Sequence, residues 1–407
     1  MRIVIEHYRI QNCILWLLVI SGALKPLLIY YNLKPDLTLL VLIAMILDIF
    51  FVIISRIKIF FERIKLVFLI LIVAFYTLCL ISLLYSPSPD YGMEKAFYMI
   101  IPCLGFIYPF FLRKLDLGML YNMIFFLVVP VSLWFILFKF LLYNDGGFLN
   151  QIINRNRFLE LRQDYLNLGY LLGILVLMAK QFSKKSFVVI FLGCLLMLGL
   201  GSRGALVFTL LSFLALNIDT LFLHFTNLKI RLRKLRQLTV FGILIIGFLV
   251  VFWNKLVLVT RYGILRFQSL LSFSGDSSAM DRLEQYKFAL ERIFTLKGFV
   301  IGHGLGSWGV IYYGIDEKAY PHNIFLEAWF EVGIIGFLIL IVVFVPVLSL
   351  KRERVLKLLA LFALLNSLKS SSFAYDRNLF IIFGVLIFAG DKLISKYLDS
   401  KRKILFK

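Results

Sequence analysis

Long apolar runs recur along the whole chain and leave too little polar sequence to cover a soluble core. They fall at 12–31, 36–55, 66–86, 93–112, 118–143, 165–181, 186–201, 204–223, 238–259, 323–350, 355–373 and 378–397. A run of roughly 20 apolar residues makes a helix long enough to cross the ~30 Å hydrocarbon core of a bilayer. Backbone groups find no water there, so helix is the form such runs take. With 61% hydrophobic and 16% charged residues, the chain reads as an all-α polytopic membrane protein of about twelve transmembrane helices. The first run carries Lys25 and Pro26, which predict a kink, and the sixth and seventh are short.

The linkers give a second, independent signal. Basic residues cluster at Arg56, Lys58, Arg63 and Lys65; at Arg113 and Lys114; at Lys180, Lys184 and Lys185; from Lys229 to Arg236; and from Lys351 to Lys357. These alternate with linkers at 87–92, 144–164, 201–204, 260–322 and 374–377. With about twelve spans every basic linker faces one side, which the positive-inside bias makes the cytoplasm, with both termini there. The net charge of +21 is thus a topology signal toward anionic lipid and excludes nucleic acid as the expected partner. Cys13, Cys79, Cys103 and Cys194 lie in or against apolar runs without metal-ligand spacing, so they read as small buried hydrophobes, and no metal or cofactor is expected.

The long outward linker, 260–322, holds most of the polar sequence. Ser278 and Asp281 have capping-box spacing, and Leu283, Tyr286, Leu290 and Ile293 recur at helical spacing, which predicts an amphipathic helix with those four on its apolar face. Gly302, Gly304 and Gly306 follow, either as a plain turn or as a loop whose N–H groups approach an anion. Trp308, Tyr312, Tyr313 and Tyr320 are either sugar-stacking platforms or interfacial anchors. Gly201-Ser202-Arg203-Gly204 makes an outward turn with no real loop. An arginine there either snorkels to headgroups or clamps a diphosphate through its bidentate fork. Asp376 and Arg377 mark another outward helix end, and Asp48 lies inside the second run as a bundle contact or a transport residue.

His322 and Asn323 open the tenth run, with Glu327 and Glu331 one and two turns below. An imidazole titrates near neutral pH and can take a proton from a hydroxyl, and a carboxylate neighbour could fix its tautomer.

Taken together, these residues resemble a known family. His322-Asn323, nine residues, Gly333, two residues and Gly336 is similar to the pattern of the O-antigen ligases, shared by the O-antigen (Wzy-type) polymerases. Gly201 to Ala205 resembles the family's "SRGA" element, and Asp281-Arg282 with the glycine run at 302–306 resembles its outer loop. Tyr286 stands where the family usually has tryptophan, and Lys297-Gly298 where a proline usually precedes the glycines.

The resemblance implies a bundle of about twelve helices of the GT-C type with one large extracytoplasmic loop. It also implies a metal-independent inverting glycosyltransferase of the bacterial inner membrane with its site on the periplasmic face. The donor would be an undecaprenyl-diphosphate-linked glycan. The acceptor would be another lipid-linked repeat for a polymerase, the leading expectation, or the lipid A core for a ligase. Carried over by position, Arg203 and Arg282 would hold the diphosphate and His322 would activate the acceptor hydroxyl. Asn323, Glu327, Gly304, Gly306 and Tyr286 are expected to line the substrate. The expected organisation is N-terminal spans at 1–185, a ligase-like core at 186–350, and C-terminal spans with a basic tail at 351–407. A lipid-linked oligosaccharide transporter is the reading from another class. It would place charges in mid-membrane across several spans and carry an internal repeat.

Overall fold

The computed structural model describes residues 2–30, 36–55, 63–144, 165–226, 277–345 and 354–389. The run at 238–259, the linker at 145–164, the basic cluster at 229–236 and the C-terminal tail lie outside these residues. The described chain is helical nearly throughout and contains no strand. Five helices are long and apolar enough to cross a membrane: Leu37–Ile54, Lys65–Tyr85, Leu117–Leu137, Tyr165–Phe182 and Ile324–Phe344. Three shorter apolar helices, Ser186–Leu200, Arg203–Ala215 and Arg377–Phe388, accompany them among the described residues.

Contacts group the chain into two units. One comprises Met1–Ser21, Pro35–Leu120 and Ser277–Lys407, and the other Gly22–Lys34 and Tyr121–Asp276. The first unit contains α1 as far as Ser21 (the helix runs Arg2–Tyr30, through Pro26), α2 (Leu37–Ile54), α3 (Arg63–Ser82) and α4 (Pro89–Ile107). Its later helices are α10 (Ser277–Ile293), α11 (Leu296–Val300), α12 (Ile324–Phe344), α13 (Arg354–Ser370) and α14 (Arg377–Gly384). The boundary at Leu120 falls within α5 (Leu117–Met123), and α6 (Val129–Asn144), which follows a π-turn at Ile124–Val128, belongs to the second unit. The second unit also holds α7 (Tyr165–Phe182), α8 (Ser186–Leu200) and α9 (Arg203–Thr226).

Helices in a bilayer gain little from leaving lipid, so small residues that let backbones approach carry the packing. In the first unit a β-carbon on Gly384 would strike the Phe106 carbonyl, so α14 lies directly on α4. Around that contact Phe106 packs edge to face on Phe380 and Phe388, Phe110 on Phe388, and Phe344 on Phe380. In the second unit Gly193 of α8 receives Val176 of α7, and Gly199 receives Ile136 of α6.

The far end of the first unit is tied by a polar knot. The Asp48 carboxylate accepts from Gln11 Nε2 at 3.0 Å and Tyr108 Oη at 2.9 Å, and sits 2.8 Å from His7 Nε2. Asp48 is therefore a bundle contact joining α1, α2 and the turn after α4.

Candidate active site

The turn at 201–204 is built as its residues dictate. Gly201 takes a left-handed φ of 77° after the last turn of α8. Its N–H donates to the Leu198 carbonyl and that of Ser202 to Met197, the pairing of a Schellman cap. Arg203 then opens α9, and Ser202 is buried against Gly169 of α7, where a β-carbon would collide with its hydroxyl. The tight turn predicted from the sequence is present, with Arg203 partly exposed at the head of a helix.

His322, Asn323, Arg282 and Tyr286 meet in the other unit. Asn323 caps α12: its side-chain oxygen accepts from the N–H groups of Phe325 at 3.0 Å and Leu326 at 3.1 Å. Its amide donates to the Leu368 carbonyl at 3.1 Å, in the last turn of α13, and the Tyr286 hydroxyl reaches the same carbonyl at 3.5 Å. One exposed helix-end carbonyl thus fixes α10 beside the mouth of α12. Arg282 sits one turn before Tyr286, on the same face of α10, and its positive charge acts on His322.

His322 has a φ of 56°, the one positive value outside glycine among the described residues. A left-handed non-glycine residue is uncommon, and such conformations persist where the surroundings over-determine them. Here Pro321 before it and the Asn323 cap after it do so. The imidazole packs edge-on to Tyr320, with centroids 4.9 Å apart, and its Nδ1 is buried without a hydrogen-bond partner. Burial first, and Arg282 second, pull its pKa from the ordinary histidine value down to about 4. The ring is therefore neutral at physiological pH, with an unsatisfied nitrogen ready for a hydrogen bond.

Glu327 does not touch His322, so the tautomer is not set by that carboxylate. Both acids below the mouth turn instead to Lys95 of α4, which the sequence reading overlooked. The Lys95 ammonium lies 2.6 Å from Glu327 and 2.7 Å from Glu331, and all three side chains are fully buried. Glu327 also accepts from Ser372 Oγ at 2.7 Å and the Phe373 N–H at 2.9 Å, so it anchors the α13–α14 turn. Lys95 also lies 4.5 Å from the centre of the Phe373 ring. Charges buried between spans were the expected mark of a transporter. Here they lie near the starts of α4 and α12, where they join those helices to each other and to the α13–α14 turn. The detectable signal was a lysine inside an apolar run, which cannot be buried without acids to pair it.

The glycine run is a packing device. Gly302, Gly304 and Gly306 all have left-handed φ values, from 76° to 97°. A β-carbon on Gly304 would meet Ser86, and one on Gly306 would meet Gly92, so the loop lies flat on the start of α4. Its His303 and Gly304 N–H groups donate to the Phe330 and Glu331 carbonyls at 2.8 and 2.9 Å. Those carbonyls adjoin a break in α12: Gly333 has φ 76° and ψ −170°, a conformation essentially reserved for glycine. Irregular backbone at such depth is tolerated where protein covers it, and Gly333 is buried against Val300. Gly333→Ala would both force that conformation and drive a methyl into the Val300 carbonyl. We expect a loss of about 2–3 kcal/mol, from a strained backbone position plus the clash, read as a lowered unfolding temperature in detergent. Gly336→Ala, which meets only Val332 of its own helix, should cost less.

Two expectations for the loop change. On α10 the buried residues are Gln285, Ala289 and Ile293, with Tyr286 half-buried, while Leu283 and Leu290 face outward. Small Ala289 lets α10 settle onto Trp308 and Phe330, and the leucines fall on the opposite side. Trp308 is fully buried, which makes it core, and the half-buried Tyr312 stacks one face on it at 5.1 Å. Tyr320 alone of the four aromatics lies beside His322.

Residues 187–341 match the family model described as O-antigen ligase. A comparison with curated proteins finds no match. The matched stretch contains Arg203, Arg282 and His322, and it agrees with the resemblance carried by the motifs. The described residues are helical and include segments fit to cross a membrane, and the stretch 187–341 is similar to the O-antigen ligase family.

Proposed function

We propose that this chain is a polymerase that joins undecaprenyl-diphosphate-linked oligosaccharide repeats into a surface polysaccharide, at the outer face of the bacterial inner membrane. The observation that carries the reading is the mouth of α12. There a strained, neutral histidine with an unpartnered nitrogen faces the influence of an arginine from the outer-loop helix.

In the proposed reaction an acceptor sugar hydroxyl donates to His322 and is aligned for attack on the anomeric carbon of the donor. The new glycosidic C–O bond forms as the bond from that carbon to the diphosphate oxygen breaks, with inversion. The hydroxyl proton passes to His322 and the leaving diphosphate keeps the bonding pair. A base with a pKa near 4 is weak. The donor's negative charge opposes that of Arg282 and raises the imidazole's basicity as the donor binds. Orientation of the hydroxyl supplies much of the rate, and fixed positive charge at the leaving group supplies the rest. Arg282 is assigned to one side of the diphosphate. Arg203 heads α9 in the other unit, and a diphosphate-holding role for it rests on the resemblance of the Gly201–Ala205 element alone. Asn323 and Tyr286 hold the mouth in place, and Glu327, first expected to line substrate, is assigned to the buried scaffold.

Cells lacking the chain separate the acceptors. Loss of a polymerase leaves surface glycan with single repeats on a gel, whereas loss of a ligase leaves lipid-linked polymer and an uncapped lipid A core. The matched family description names ligase activity, and the same machinery serves it with a different acceptor. Arg203→Lys keeps the charge and removes the bidentate fork, so chain extension should fall at least about tenfold, against little change for Arg292→Lys on the exposed face. Full extension by the Arg203 variant would remove the clamp from the account.

A further inference from the structure

The segment after α10 exposes apolar side chains where a soluble loop would show polar ones. Leu296 is 87% exposed, Phe294 67%, and Phe299, Val300 and Ile301 are exposed too. Leu84, at the end of the Lys65–Tyr85 span, is also 87% exposed. Single exposed leucines need no explanation, but a contiguous set does.

Hydrogen bonds fix the height of this segment on the bundle. The Tyr85 hydroxyl donates to the Ile301 carbonyl at 2.6 Å, and the Leu305 N–H donates to Ser82 Oγ at 3.0 Å. Residues 301–305 are therefore level with the last turn of a span whose hydrocarbon-facing residues end there. On the other side Trp329 of α12 donates to the Phe299 carbonyl at 3.3 Å, and its ring packs against Phe294 and Phe299. Tryptophan with its N–H satisfied and its ring among apolar groups is the residue that marks a membrane–water boundary.

We infer that residues 294–301 form an interfacial anchor, inserted side-on into the bilayer leaflet that surrounds the mouth of α12. The occupant of the exposed apolar face is lipid. The face continues directly into that of α3, where Val73 and Ile81 are exposed, and into that of α12, where Ile335 and Leu338 are exposed. Both are lipid-facing surfaces of membrane spans. Exposed Arg292 precedes the segment and exposed Lys297 lies within it, and both can lay their stems on the apolar surface with the charge at the phosphates. The inference stands on these contacts and does not depend on the glycan-transfer reading.

The test uses the full chain in vesicles of phosphatidylethanolamine and phosphatidylglycerol. An environment-sensitive fluorophore is attached at Leu296→Cys or, as a control, at Glu317→Cys, which is exposed elsewhere on the loop. The unsubstituted chain treated alike supplies the background from its own cysteines. The Leu296 probe should emit to the blue of the Glu317 probe and lose most of its intensity to lipids carrying a nitroxide high on the acyl chain. Iodide in the water should quench the Glu317 probe instead. A Leu296 probe quenched by iodide as strongly as the control, and untouched by lipid nitroxides, would overturn the anchor. So would one shielded from both quenchers, since protein would then cover the face.

Discussion

Lys95→Met should cost the folded protein about 3–5 kcal/mol, the loss expected when one partner of a buried ion pair is removed and the other is left uncompensated. Here the loss exposes two carboxylates to each other in a site that water does not reach: Lys95, Glu327 and Glu331 are each fully buried. The ammonium donates to both acids at 2.6–2.8 Å, so its removal deprives both of the same buried cation. Glu327 would still hold Ser372 and Phe373, and its remaining charge would pull that turn out of position. Adding Glu331→Gln to Lys95→Met removes one of the opposed charges and should recover part of the loss. Thermal unfolding in detergent reads both variants. Equal stability of the single and double variants would mean that charge opposition is not what the lysine relieves.

His322→Ala should lower glycan transfer by roughly 10²–10⁴-fold, the usual worth of a positioned acid–base group. Stability should not fall in proportion, because the imidazole makes an edge contact with Tyr320 and leaves Nδ1 unbonded. Removing the side chain at a φ of 56° may be compared with His322→Gly, which relaxes the backbone and removes the chemistry together. The pH dependence has a definite sign. The folded-state pKa of about 4 lies below that of the unfolded chain. Between those two values the unfolded state binds more protons, so stability falls as pH drops through that window and is full above it. Measured as kcat/KM, which reports the free enzyme, transfer should stay flat below neutral pH and decline only toward pH 4, while the inflection in kcat is displaced upward by the bound diphosphate. An inflection of kcat/KM near 6.5 that disappears in His322→Ala would show that the imidazole is not desolvated in the free enzyme.

Much of this was legible in the residues, and the reasons differ from element to element. The mouth of α12 could be read because its signals are local: an asparagine one residue ahead of an apolar run caps a helix, and Asn323 does so. The turn at Gly201 was local in the same way. Gly333 stood out by spacing, but its purpose, breaking α12 so that the loop at 302–304 can dock on freed carbonyls, is a tertiary fact. Lys95 was missed because hydropathy averages one lysine away, while its partners sit more than two hundred residues later. The outward face of α10 was misjudged for a related reason. Helical spacing groups Leu283 with Leu290 and Ile293, but the packing partner chose the small-residue side at Ala289, and the leucines stay exposed. The nearness of Arg282 to His322 depends on Leu368, a carbonyl on a third helix, and no pattern in the loop could reveal it.

The most direct measurement is transfer by the purified chain in proteoliposomes supplied with a labelled lipid-diphosphate repeat and an acceptor repeat. The unsubstituted protein should convert the label into longer glycan and release lipid diphosphate in step. His322→Ala, reconstituted to the same level and unfolding at the same temperature, should bind the donor and extend nothing. Undiminished extension by that variant would contradict the assignment of glycan transfer to the mouth of α12.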